Sequence, residues 1–193
     1  GLGCAAIGNT VISSGNGMAI RSTVNVTHNT ILHCNNGIAV DHAGGQPYVQ
    51  FNTIHNSRAN GINVLSSVTA AQFILGNEIT NSAGWGIANT NASGAALLAY
   101  NRFLNNSSGN IQYNQDWFEG SDIGSFQNTT GSITNEYLDP ASNNYSLLST
   151  ASGYGRGPGV FVNIGAQGTV SSTSSNTSSV ATLNPGLNGG FRG

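Results

Sequence analysis

One short pattern returns five times between Ile7 and Tyr113: Asn-x-aliphatic, a spacer of five or six residues, then Gly-aliphatic-x-aliphatic. The copies begin at Asn9, Asn29, Asn52, Asn77 and Asn101, spaced 20, 23, 25 and 24 residues apart. Two residues after each Asn stands Val11, Ile31, Ile54, Ile79 or Phe103. Further on stands Gly17, Gly37, Gly61, Gly86 or, in the last copy, Asn110, and an apolar residue follows at once (Met18, Ile38, Ile62, Ile87, Ile111). A period of this length marks a repeat architecture, in which each unit buries its apolar face only against its neighbours.

The apolar residues within a copy sit two apart, as in Gly37-Ile38-Ala39-Val40 and Gly61-Ile62-Asn63-Val64. That is strand spacing. A further apolar column precedes each Asn: Ala6, Val26, Val49, Ile74 and Leu98. Three strand-like runs per copy, broken at Gly and Asn, describe one turn of a coil. Stacking such coils at about 4.8 Å sets like residues above like. The Asn column then becomes a ladder of side-chain amides that also caps a bend. Four residues on, Ser13, His33, Asn56, Asn81 and Asn105 are expected to form a second ladder. The Gly column, with Asn110 as its one replacement, is expected at a bend of positive φ, which Gly and then Asn tolerate best. Alternation turns Tyr48, Phe73 and Leu97 outward in consecutive coils. These three make a candidate interface, because stacked large apolar residues are rarely left wet. Either residues 137–168 or another subunit is expected to cover them.

These columns resemble the repeats of right-handed parallel β-helix proteins, the pectate-lyase-like superfamily, over roughly residues 1–168. The resemblance implies an all-β solenoid with an irregular C-terminal closing segment and a flexible tail. Residues 1–113 are the repeated coils, 114–168 degenerate coils and a terminating segment, and 169–193 a Ser/Thr/Gly-rich tail and candidate assembly arm. Tyr137-Leu138-Asp139-Pro140 followed by Asn144-Tyr145-Ser146-Leu147 is similar to the segment that ends the coil stack in many secreted β-helix proteins. The fold carries lyases, hydrolases, phage tailspikes, adhesins and structural proteins, so it does not by itself choose a function.

Composition narrows the choice. Of 193 residues only 6% are charged, none is Lys, and the net charge is −2. A typical soluble domain is about a quarter charged. There is no electrostatic case for nucleic acid or an anionic membrane, and no apolar run approaches a membrane span. Such a polar, Lys-free chain suits an extracellular, cell-surface or virion setting. It begins Gly-Leu-Gly-Cys without Met and reads as a processed or truncated product. Cys4 and Cys34 belong to different columns and read as two small buried side chains before a disulfide. The sequons at Asn25 and Asn128 follow from composition.

Lyases of the resembled superfamily use clustered Asp for calcium with an Arg or Lys base, and its hydrolases use two or three carboxylates on one face. This chain has seven carboxylates, with only Asp41 and Glu78 in the repeats, in different columns. Asp41 falls over Arg21 and reads as a surface ion pair. His33 and His55 lie one column apart in neighbouring coils, but no ligand spacing joins them with His28 and His42, so no metal is expected. Asp116, Trp117, Phe118, Glu119 and Asp122 alone combine acids with aromatics, as a candidate glycan or ion contact. No catalytic residues and no cofactor are expected. The reading is a non-catalytic structural β-helix of a phage fibre, virion decoration, surface filament or adhesin; the alternative is a polysaccharide lyase or glycoside hydrolase, or a fragment of one. The expected partners are a polysaccharide and further copies of the chain in a homo-oligomer or filament. The first coil has no cap of its own, so an upstream domain or a neighbour's tail, through Leu187 and Phe191, is expected to cover it.

Overall fold

The structure, a computed structural model, describes residues 4–41, 46–65, 67–68, 72–90, 96–113 and 137–151. Each copy of the pattern gives one strand to each of three parallel sheets. The first sheet stacks β1 (Cys4–Ile7), β4 (Val24–Thr27), β7 (Tyr48–Gln50), β10 (Gln72–Leu75) and β13 (Ala96–Ala99). The middle sheet stacks β2 (Thr10–Ile12), β5 (Thr30–Leu32), β8 (Thr53–His55), β11 (Glu78–Thr80) and β14 (Arg102–Leu104). The third stacks β3 (Asn16–Ile20), β6 (Asn36–Val40), β9 (Ile62–Val64), β12 (Trp85–Asn89) and β15 (Gly109–Tyr113). The chain is an all-β parallel solenoid.

Register follows the sequence columns. Val26 pairs with Val49, Val49 with Ile74 and Ile74 with Leu98. Ile31 pairs with Ile54 and Ile54 with Ile79, while Ile38, Ile62 and Ile87 run up the third sheet. These residues are buried and converge on one core. Their outward neighbours alternate as strand geometry requires: Tyr48 and Phe73 are half-buried beside fully buried Val49 and Ile74. The connections from the third sheet to the first sheet of the next coil run to three, seven, seven and six residues and hold most of the length variation between copies.

Two bends per coil use the left-handed backbone, and neither is the Gly column. One is the residue before each ladder Asn: Gly8, His28, Phe51, Gly76 and Tyr100, with φ between 52° and 68°. The other is Ser13, His33, Asn56, Asn81 and Asn105, with φ between 53° and 59°. The latter column was expected to be an amide ladder. Its side chains do not join continuously: Asn56 Nδ2 meets His33 Nδ1 at 2.8 Å, and the column's regularity lies in its backbone. Inter-coil hydrogen bonds continue through both bends, as in Phe51 N–H to Leu75 O (3.0 Å) and Asn56 N–H to Thr80 O (2.9 Å). Those bonds hold bulky residues in a conformation that costs about 1 kcal/mol or more outside Gly and Asn.

The Gly column has a different cause. A Cβ on Gly61 would run into Ile79 Cγ2 of the next coil and lie 2.6 Å from Gly86 O. Gly17 and Gly37 face Ile31 and Ile54 in the same way, and Gly86 faces the Phe103 ring. The Ile of one coil therefore fills the space where the preceding Gly would carry a side chain. Among the described residues β15 is the last strand of its sheet, and none of them adds a further strand beyond Asn110.

The terminating segment forms an antiparallel hairpin of β16 (Tyr137–Asp139) and β17 (Asn144–Leu147) around a 3-10 turn at Pro140–Ser142. Asp139 accepts from Ser142 N–H at 3.3 Å, and Asn143 takes the left-handed conformation that ends the turn. The hairpin was expected to end the stack. Instead it lies along the outer face of the middle sheet: Tyr137, Tyr145 and Leu147 pack with Leu32. Tyr48 and Phe73 stack on each other at 4.8 Å and 6°. The outer face of the middle sheet sets Leu32, His55, Thr80 and Leu104 in one column.

Candidate functional site

The polar chemistry of the coils is concentrated in the Asn ladder. Each ladder Oδ1 accepts two N–H groups from the Asn of the preceding coil. Asn52 Oδ1 takes Asn29 N–H at 3.0 Å and Asn29 Nδ2 at 2.9 Å. Asn77 Oδ1 takes Asn52 N–H and Nδ2 at 3.0 and 2.9 Å, and Asn101 Oδ1 takes both from Asn77 at 3.0 Å. The second amide proton goes to a first-sheet carbonyl: Ala6 O, Val26 O, Val49 O and Ile74 O in turn. The left-handed bend before each Asn swings its backbone N–H out of the carbonyl ladder, and a buried N–H must find another acceptor. The next Asn supplies it. Asn29, Asn52, Asn77 and Asn101 are all fully buried.

A second Asn run lies one residue before the Gly column. Asn36 Nδ2 donates to Asn16 Oδ1 at 3.0 Å, Asn60 N–H to Asn36 Oδ1 at 3.2 Å, and Trp85 N–H to Asn60 Oδ1 at 2.9 Å. The signal was present in the repeated Asn-Gly pairs 16–17, 36–37 and 60–61.

The outer face of the middle sheet carries the Glu78–Arg102 pair and His55. Glu78 and Arg102 are register partners, both buried, with Arg102 Nη1 2.6 Å from Glu78 Oε1. The signal for this pair was present in the sequence, since both residues follow a ladder Asn in consecutive copies. The expected Arg21–Asp41 ion pair does not form; Asp41 Oδ1 instead accepts from Ser67 Oγ at 2.9 Å. The neighbouring connection reaches Asp41, while Arg21 stays exposed in solvent.

His55 and His33 do approach, with ring centroids 6.1 Å apart in an edge-on arrangement. His55 Nδ1 lies 2.8 Å from Thr80 Oγ1, which lies 2.9 Å from Tyr137 Oη. The Tyr145 ring sits 4.8 Å from the imidazole and Tyr137 5.8 Å from it, edge-on. Burial, helped by the nearby His33, lowers the His55 pKa to about 4. Burial also lowers His28 and pushes the Tyr145 phenol up. Among the described residues no three His, Cys, Asp or Glu side chains converge as metal ligands do. Cys4 and Cys34 are unbridged; Cys34 is buried with Sγ 3.3 Å from Leu32 O, but Cys4 is exposed, contrary to the expectation of two buried thiols. Its column neighbour Val24 is only partly covered, because both belong to the first two strands of their sheet.

No protein-family model, curated protein or solved structure matches the chain. Asp116, Trp117, Phe118, Glu119 and Asp122, and the tail residues Leu187 and Phe191, lie outside the described residues, as does the Leu97 side chain. Tyr48, Phe73 and Leu97 share one register column on the first sheet. Among the described residues no helix is long and apolar enough to cross a membrane.

Proposed function

We propose that the chain is a non-catalytic structural solenoid of an extracellular or virion assembly, of the right-handed, pectate-lyase-like kind its repeats resemble, contacting glycans and assembling through its ends. The supporting observation is where its described acids go. Glu78 is locked to Arg102, Asp139 caps its own turn, and Asp41 accepts a hydroxyl. A glycosidase needs two carboxylates facing one bond, and a lyase needs acids gathered around a cation; each of these carboxylates is bound instead to a structural partner. A stack joined inside by its Asn ladder, with few charges in its sequence, suits a rigid spacer better than a reaction centre.

Incubation with acidic polysaccharides is expected to release neither unsaturated nor reducing ends. Release that disappears in Asp41→Asn would overturn the reading. Assembly is tested by deleting residues 169–193 and measuring particle size. A smaller particle is expected; an unchanged assembly, or a monomeric full chain, would contradict it.

A further inference from the structure

We propose that His55 is an acid-sensitive latch: when its imidazole takes up a proton, the hairpin 137–147 leaves the outer face of the middle sheet while the coils stay folded.

The geometry comes first. The hairpin is a two-stranded sheet of its own, and among the described residues it shares no strand pairing with the coils. It is held by side chains: Tyr137 and Tyr145 against Leu32 and His55, and Tyr137 Oη against Thr80 Oγ1. His55 stands at the centre of that contact. Its Nδ1 reaches Tyr137 through the Thr80 hydroxyl, and its ring touches both tyrosines. The tyrosines bury the imidazole, and only 5% of the residue remains exposed.

The surrounding groups offer a cation little. From the coils, His33 faces the ring at 6.1 Å, and Leu32 and Thr80 flank it in register. Glu78, on the neighbouring strand β11, is engaged by Arg102. From the hairpin come the two tyrosines, while Asp139 is engaged in its turn. The tyrosine rings attract a cation weakly. Loss of hydration outweighs that attraction, and a charged His33 opposes it further.

The sign follows. The docked imidazole titrates at about 4 against 6.5 for a free one, so the docked hairpin excludes the proton. Docking is full above pH 6.5, weakens as pH falls towards 4 and levels off below that. For a single site the docking constant falls roughly 30-fold at pH 5 and tends to roughly 300-fold below pH 4. Of the other described coil groups, His28 is also lowered by burial and stacks on Phe51, while the ladder amides and the Ile columns do not titrate.

Hydrogen–deuterium exchange of the full chain, corrected for the intrinsic pH dependence of exchange, tests the latch. Between pH 8 and pH 5, peptides from 137–147 are expected to lose protection by roughly 30-fold while those from 72–90 keep theirs. His55→Gln, neutral at every pH, is expected to abolish the difference. Loss of protection in coils and hairpin together, an unchanged hairpin, or equal pH dependence in His55→Gln would overturn the proposal. Should that variant fail to fold, proton NMR titration of His55 in the native chain decides: a value well below 6 supports the latch, and one at or above 6.5 refutes it.

Discussion

Replacing Asn52 by Leu separates the ladder account from simple packing. Leu fills a similar volume but provides no hydrogen-bonding group. The substitution leaves Asn29 N–H, bonded at 3.0 Å to Asn52 Oδ1, without its acceptor inside the stack. It also removes one donor from Asn77 Oδ1 and one from Val26 O. A buried donor left unpaired costs about 1–3 kcal/mol, and each thinned carbonyl adds about 0.5–1 kcal/mol. The expected loss is about 2–5 kcal/mol. Asn9→Leu provides the internal control. Asn9 is exposed, and Asn29 Oδ1 keeps its bond from Asn9 N–H at 2.9 Å when the side chain goes, so water can replace the rest. There the cost is expected to stay below about 1 kcal/mol. Urea unfolding followed by far-ultraviolet circular dichroism measures both. Equal losses at the two positions, or an Asn52→Leu variant within about 0.5 kcal/mol of the parent, would refute the reasoning.

Gly61→Ala is expected to lower the melting temperature sharply, since its Cβ meets both Ile79 Cγ2 and Gly86 O; adding Ile79→Ala should restore only part, because the carbonyl clash remains. Glu78→Gln removes the charge that faces buried Arg102 and is expected to cost about 3–5 kcal/mol in urea unfolding, whereas Glu78→Met with Arg102→Met should cost less than either single change. Gly76→Ala combines a φ of +65° with the Phe51 ring 2.6 Å from the new Cβ, so Phe51→Leu should relieve its thermal destabilisation in part.

The fold was legible because one residue type recurs wherever one physical demand recurs. Asn29, Asn52, Asn77 and Asn101 each satisfy the same buried N–H, and the Ile columns each fill the same core layer. The cause of a column was harder to read than its existence. Gly17, Gly37, Gly61 and Gly86 are Gly because an Ile methyl group or, at Gly86, the Phe103 ring needs their space, while the positive φ falls on His28, Phe51 and Tyr100, which composition does not flag. Glu78 and Arg102 could have been paired from their shared column. The hairpin's seat could not, because Tyr137 lies 57 residues from Thr80 and outside the repeat. The site residues 116–122 and the tail share no period with the coils, so the columns gave no register to place them.

The central claim is that buried Asn side chains join successive coils. Trans-hydrogen-bond scalar couplings in the labelled protein test it directly, between the backbone nitrogen of Asn29, Asn52 and Asn77 and the side-chain carbonyl carbon of Asn52, Asn77 and Asn101 respectively. Three resolved couplings are predicted, matching N–H to Oδ1 distances of 3.0 Å at each step. Couplings from those nitrogens to backbone carbonyls instead, or amide protons that exchange freely with water, would contradict the ladder and the coil register built on it.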